Sequence, residues 1–191
     1  MREWFKDCIN LKILIHFKNL DTSDCTDFSG MFFDCNLLQT LIGLESWNVS
    51  NGTDFSRMFF NCESLQNINE LKNWNISNGT NFSFMFKYCT SLQDLTELEN
   101  WNVSNGINFS YMFFTCESLQ NLKKLQKWNM SNGKDFSYMF GYCDSLKNIS
   151  LSNTLNMLKK EIFYNCNTNL KIKWKNHLYT YADLLEYKQI Y

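Results

Sequence analysis

The apolar positions of this chain recur with a fixed period of 27 residues. The clearest copy, residues 101–127, reads WNVSNGINFSYMFFTCESLQNLKKLQK. Leucines come at three-residue steps and lead into a Trp-x-Val segment, as in Trp101 and Val103. Trp and Val two residues apart face the same side of a β-strand. The pattern predicts one strand per repeat and a parallel sheet whose inward rows are Trp47/Trp74/Trp101/Trp128 and Val49/Ile76/Val103/Met130.

Each repeat continues with a turn and a second apolar segment. Ser-Asn-Gly follows the predicted strand, and Asn-Gly is typical of turns because both residues tolerate positive φ. After the turn, an Asp or Asn precedes four apolar residues at the i, i+3, i+4, i+7 spacing of one helical face, as in Phe55, Met58, Phe59 and Cys62. We predict a short helical turn there, capped by Asp54. The Asn of each turn is expected to hydrogen-bond the backbone of a neighbouring repeat (Asn51, Asn78, Asn105 and Asn132).

Cysteines mark the register of the repeats. Seven of the eight cysteines fall in one column, at Cys8, Cys35, Cys62, Cys89, Cys116, Cys143 and Cys166. A fixed period of this length is typical of chains that stack similar coils. Side chains in register point the same way, so we expect a buried rung of thiols rather than disulfides.

These patterns predict one solenoid domain spanning 1–191, with a parallel β-sheet on one side and short helical turns on the other. Its parts are an N-terminal half-coil cap (1–19), 27-residue repeats (20–150), a shortened last coil (151–174) and a C-terminal cap (175–191). In the last coil, Leu155 and Met157 take the Trp and Val columns, and Leu170–Trp174 is a closing strand. Tyr181–Ile190 is predicted as an amphipathic capping helix.

Composition and charge narrow the function classes. The chain has 191 residues, 45% hydrophobic and 17% aromatic, which is enough to bury a sizeable core. Its formal net charge of −1 gives no attraction to nucleic acid or to an anionic membrane. The first residues do not read as a secretory signal, and no stretch is apolar for the length of a membrane span. We expect a monomer that binds no nucleic acid and does not insert into membranes.

Candidate catalytic groups are limited to His16, His177 and the thiols. Nucleophilic catalysis needs one activated cysteine beside one oriented base, which a rung of equivalent thiols and two distant histidines does not offer. Zinc sites need close pairs such as C-x₂-C, and the sequence has none. We therefore predict that the protein is not an enzyme and has no catalytic residue, cofactor or metal. A redox or metal-handling role for the thiol rung is a third alternative.

Positions that differ among the copies are the candidate ligand-binding residues. Three columns vary: Arg57/Phe84/Tyr111/Tyr138, Phe60/Lys87/Phe114/Gly141 and Asn61/Tyr88/Thr115/Tyr142. Exposed rings in these columns would form an apolar patch typical of interaction surfaces. The predicted ligand-binding residues are Phe84, Tyr88, Tyr111, Phe114, Tyr138 and Tyr142. The alternative is that Phe84, Tyr111 and Tyr138 pack between adjacent helical turns.

The columns resemble the repeats of the BspA-type, or Treponema-type, leucine-rich-repeat proteins. The match runs from Ser118-Leu119-x-x-Leu122 through Trp128-Asn129-Met130-Ser131-Asn132 to Phe136-Ser137-x-Met139-Phe140-x-x-Cys143. The resemblance covers residues 4–174 and implies right-handed leucine-rich-repeat coils in a secreted or cell-surface protein that binds host molecules. It implies no catalytic residues. The leading hypothesis is thus a non-enzymatic adhesion module for a protein or glycan ligand. The alternative is an intracellular protein-interaction scaffold in the cytoplasm, favoured by the absent signal peptide and the free thiols.

Overall fold

Successive repeats lie on one another in parallel and in register. The computed structural model describes residues 1–151, 161–174 and 177–183. One position per repeat forms a parallel β-bridge with its equivalent in the next repeat, in the series Asp27, Asp54, Asn81, Asn108, Asp135. Each repeat of 27 residues therefore forms one layer of the stack.

Backbone hydrogen bonds between layers hold the second apolar segment of each repeat. The amides of Phe55, Arg57, Phe59 and Asn61 donate to carbonyls of the following repeat at 2.7–3.0 Å. The intervening amides of Met58 and Phe60 donate three residues back within their own repeat, and that of Ser56 donates to the Asp54 side chain. A helix would need all of these amides for its own i−4 carbonyls. The predicted helical turn is therefore wrong, although the predicted apolar face, Phe55, Met58, Phe59 and Cys62, is fully buried.

The predicted strand at Trp-x-Val is also wrong for the described repeats. These segments carry no strand, and short 3₁₀ helices precede them at Ile15–Phe17, Asn69–Asn73, Thr96–Leu98 and Lys123–Lys127. Three residues per turn is the 3₁₀ period, so leucines at three-residue steps all face the core. The burial of the Trp and Val columns was predicted correctly: Trp101 is only 3% exposed and Val103 only 1%.

The described strands form one sheet near the C-terminal end. Strand β1 (Asn148–Leu151) pairs in parallel with β2 (Lys171–Trp174), and β2 pairs antiparallel with β3 (His177–Thr180). Strand β2 confirms the closing strand predicted at Leu170–Trp174. Residues 181–183 are helical, but the rest of the predicted capping helix lies outside the described residues, as do Leu155 and Met157.

Like residues stack on like throughout the core. Two columns of phenylalanine rings run along the stack at centroid spacings of 5.3–5.8 Å; they are Phe28/Phe55/Phe82/Phe109/Phe136 and Phe5/Phe32/Phe59/Phe86/Phe113/Phe140/Phe163. Six cysteines of the rung are buried, and each sulfur donates to the carbonyl of a phenylalanine in the preceding repeat at 3.0–3.3 Å. The buried thiol rung is thereby confirmed for these six. Cys8 is exposed, since no described layer lies before it.

The Asn of each turn links adjacent layers. Its side-chain N–H donates at 2.8 Å to a serine carbonyl of the preceding repeat, as from Asn105 to Ser77. This confirms the predicted Asn ladder. The turn glycines do not have positive φ, so the predicted turn geometry is wrong. A side chain is excluded at Gly106 because a Cβ there would overlap the ring of Phe109.

Candidate binding surface

Left-handed backbone recurs at two columns of every repeat. The residue after Phe-Ser has φ of 61° at Phe84, 56° at Tyr111 and 57° at Tyr138. The residue before Cys has φ of 64° at Tyr88 and 56° at Tyr142. This conformation costs a residue with a Cβ roughly 1–2 kcal/mol. It persists here because successive amides donate alternately to carbonyls of the next layer and to carbonyls of their own turn. This alternation requires a left-handed residue at two positions of the segment.

Half-buried aromatic rings from these columns, and from the column two residues before Cys, form one continuous surface. In one row the ring of Tyr111 stacks on Phe84 and on Tyr138, with centroids 4.9 Å apart in both pairs. In the neighbouring row, Phe114 meets Tyr88 at 6.1 Å and Tyr142 at 5.2 Å, with ring planes at 84° and 65°. The two rows touch where Tyr111 and Phe114 lie 5.2 Å apart. The structure thus brings all six predicted ligand-binding residues together.

We call this surface the aromatic face and define it as Phe60, Phe84, Tyr88, Tyr111, Phe114, Tyr138, Tyr142 and Tyr164. Its rings pack between layers, as the alternative interpretation expects, but they also keep part of their area in solvent. Tyr164 is the most open, at 42% exposure. Packing and exposure therefore coexist on this face.

Two cations lie on the aromatic face. The Lys87 ammonium is 4.7–5.9 Å from the centroids of five rings, namely Phe60, Phe84, Tyr88, Tyr111 and Phe114. The Arg57 guanidinium is 4.8 Å from the ring of Phe84. Partial burial lowers the pKa of Lys87, and the nearby positive charge of Arg57 lowers it further.

The sequence interpretation did not select Lys87 or Arg57 as site residues. The available signal was positional, because Lys87 stands in the column of Phe60 and Phe114, and Arg57 in the column of Phe84. Variation within an exposed column marks all its members as surface candidates, whatever their chemistry. Hydrophobicity alone indicates only the aromatic members of these columns.

The far end of the face carries an acidic contact. The Glu161 carboxylate beside the Tyr138 hydroxyl, together with burial, raises the pKa of Tyr138 to about 12. A charged carboxylate disfavours formation of the phenolate beside it. The face therefore has positive charge on its earlier repeats and a carboxylate near residue 161.

The buried thiols are poor nucleophiles. Burial raises the pKa of Cys35 to about 12 and of Cys166 to about 11, and it raises the pKa of Cys62, Cys116 and Cys143 well above the ordinary value. The thiolate is the reactive form, so these groups are shielded chemically as well as sterically. In the described part of the chain, no group of His, Cys, Asp and Glu side chains is arranged to hold a metal ion.

Thiol titration is expected to separate two cysteines from the other six. Cys8 is exposed and Cys25 half-buried, so a thiol reagent should modify only these two in native protein and all eight after unfolding. A Cys8→Ser variant should lose one native equivalent and no more. Rapid modification of Cys89 or its neighbours in the folded protein would contradict the shielding and favour the redox alternative.

A second surface feature lies on the turn side of the repeats. Asn78, Asn105 and Asn132 with Thr80, Ile107 and Lys134 line an open groove of about 390 Å³. The Asn side chains already donate to serine carbonyls across the layers, and Thr80 donates to Thr53. These polar groups serve the stack, and the groove supplies a control surface for binding experiments.

The chain is thus a stacked-repeat protein with an aromatic face and a shielded thiol rung. A family model described as "Mycoplasma protein of unknown function, DUF285" matches residues 1–99 and 93–176, and the chain belongs to this family. No curated protein matches the sequence. Among the residues described by the structure, no helix has the length and apolar character needed to span a bilayer.

Proposed function

We propose that this protein is a non-enzymatic binding module that engages a protein ligand through the aromatic face. The observation that carries the proposal is the contiguous surface of half-exposed rings, most of which lie on left-handed backbone. We also propose that the stacked repeats are right-handed leucine-rich-repeat-type coils related to the BspA-type proteins. Membership of the mycoplasma repeat family supports that relationship.

A rigid platform favours binding by such a surface. The rings are fixed by stacking at 4.9 Å, and the backbone beneath them is tied to the next layer, as by the Tyr111 amide to the Ser137 carbonyl at 2.8 Å. Side chains that are already ordered lose little conformational entropy when a ligand covers them. Tyr and Phe are also enriched in the buried centres of protein interfaces.

Ring orientation favours a protein over a glycan as the ligand. Sugars stack on open ring faces, but both faces of Tyr111 are covered by Phe84 and Tyr138, with interplanar angles of 2° and 18°. This row presents ring edges to solvent. Ring edges carry partial positive charge and suit carbonyl oxygens and the faces of other aromatic side chains.

The intracellular scaffold is the second candidate. All eight cysteines are free, which is typical of proteins kept in a reducing compartment. The same face would serve either role, because only the location of the protein and its partner differ. Fractionation of the native host cells would separate a surface adhesin from a cytoplasmic scaffold.

Site-specific photo-cross-linking tests the binding proposal. A benzophenone amino acid at Tyr111 is expected to capture a protein partner in host-cell extract, whereas the same group at Lys134 in the groove should not. Alanine at both Phe84 and Phe114 should abolish capture while the thermal unfolding midpoint stays well above the assay temperature. Equal capture from Tyr111 and Lys134, or capture unaffected by the double variant, would overturn the proposal.

A further inference from the structure

We propose that the aromatic face recognises an acidic peptide, whose carboxylates bind Lys87 and Arg57 and whose apolar side chains contact the surrounding rings. This inference rests on the proposed function and names the chemistry of the partner. The observation behind it is that two cations lie on the aromatic face and that no acidic side chain in the described part of the chain neutralises them.

The two cations share a ring. Lys87 lies 5.4 Å and Arg57 lies 4.8 Å from the centroid of Phe84. Each charge lies within 5.4 Å of the same centroid, so the two repel each other, and the partial burial of Lys87 weakens the screening by water. The pKa of Lys87 is lowered by both effects. A carboxylate placed between the two side chains would remove the repulsion and supply attraction to each.

Within the described residues, neither cation has an acidic partner. The ion pairs found there join Lys6 to Glu3, and Lys124 and Lys127 to Glu99. Lys6 also lies over a ring, 5.3 Å from the centroid of Phe33, but its charge is neutralised by Glu3. The cations at the centre of the aromatic face therefore differ from the other ring-bound cation of the stack.

The surroundings favour a peptide among anionic ligands. A polyanion such as nucleic acid or a charged bilayer is bound through many cations, whereas this face offers two and the chain has a net charge of −1. Five rings around Lys87 instead provide apolar contact area on each side of the charge. Acidic residues alternating with apolar ones match that arrangement.

Selection from a random displayed peptide library on the intact protein tests this inference. Enriched peptides are expected to combine Asp or Glu with Leu, Phe or Tyr. Replacing their acidic residues by Asn or Gln should weaken binding about tenfold or more, as for loss of a partly buried charge contact. Affinity should fall as salt rises.

Matched variants assign the effect to the two cations. Lys87→Met keeps the apolar stem and removes the charge, and Arg57→Gly introduces the residue that Gly30 already provides in the same column. Each should weaken the selected peptides about fivefold or more, while Lys87→Arg should retain binding and Lys134→Met should have no effect. Thermal unfolding of every variant checks that the fold is kept.

The outcomes separate this inference from the proposed function. Selected peptides without acidic residues, no selected peptide at all, or binding unchanged in Lys87→Met would overturn the acidic-peptide inference. Lys87-dependent binding to phosphatidylserine vesicles or single-stranded DNA, without peptide binding, would overturn it too. In each case capture from Tyr111 in the cross-linking experiment would still support a protein ligand, and its loss would remove the proposed function itself.

Discussion

Replacing Trp101 by Ala is expected to lower the free energy of unfolding by about 3–5 kcal/mol. The indole is 3% exposed and stacks on Trp128, with ring centroids 6.2 Å apart. Its Nε1–H donates to the Leu71 carbonyl of the preceding repeat at 2.9 Å. Truncation removes a large buried ring, a stacking contact and a bond between layers, and neighbouring layers are too regular to collapse into the space. Urea-induced unfolding followed by circular dichroism measures the change.

Trp101→Phe provides the control for that experiment. Phenylalanine keeps most of the buried apolar area but loses the donor, and the Leu71 carbonyl still accepts from the Trp74 amide. The expected cost is about 1–2 kcal/mol, which combines one hydrogen bond with a small cavity. A change near zero for Trp101→Ala would mean that the Trp column faces solvent, and stacking on carbohydrate would then become the better interpretation of it.

Replacing Gly106 by Ala is expected to destabilise the protein by about 1–3 kcal/mol or more. The added Cβ would overlap Cζ of the Phe109 ring and approach the Val103 carbonyl oxygen at 3.0 Å. Phe109 cannot retreat because it is stacked between Phe82 and Phe136 at 5.4 Å and 5.3 Å. The penalty arises from lack of space, since the backbone at Gly106 does not have positive φ.

A double-mutant cycle with Phe109→Leu separates the two explanations. The Phe109→Leu substitution alone should be destabilising, because Phe109 is fully buried in its ring column. In that background the Gly106→Ala substitution should cost little, giving a coupling energy of about 1 kcal/mol or more. Strict additivity of the two substitutions would show that the glycine is required for its backbone conformation instead.

The stacked architecture explains how one fold carries variable surface chemistry. Several core columns keep one residue type because each member stacks on its own equivalents, as the rings of Phe82, Phe109 and Phe136 show. Outer columns need only tolerate left-handed backbone, and they hold Gly, Arg, Phe and Tyr at the same position. Substituting these columns would change the surface chemistry without disturbing the stack.

Binding through an aromatic face, and acidic peptides as its ligands, are proposals that rest on the geometry of Lys87, Arg57 and the rings around them.

Which residues meet follows from the 27-residue period. Because equivalent positions are 27 residues apart and the layers are in register, the buried Cys, Phe, Leu and Trp columns and the Asn ladder follow from the sequence alone. Six ring-bearing positions could be placed on one surface for the same reason.

The local backbone conformation and the surroundings of the charged side chains depend on contacts between the layers. The amides of Phe55, Arg57 and Phe59 donate to the next layer and so cannot form helical hydrogen bonds. The segment therefore consists of successive turns with positive φ, although its apolar residues have helical spacing. The space taken by the Phe109 ring, rather than φ, fixes Gly106. The rings around Lys87 come from three different repeats, so no local pattern could reveal them. The register of the layers follows from the repeat period, which can be read along the chain. Hydrogen-bond partners and the space available to a side chain are set only by contacts between the layers.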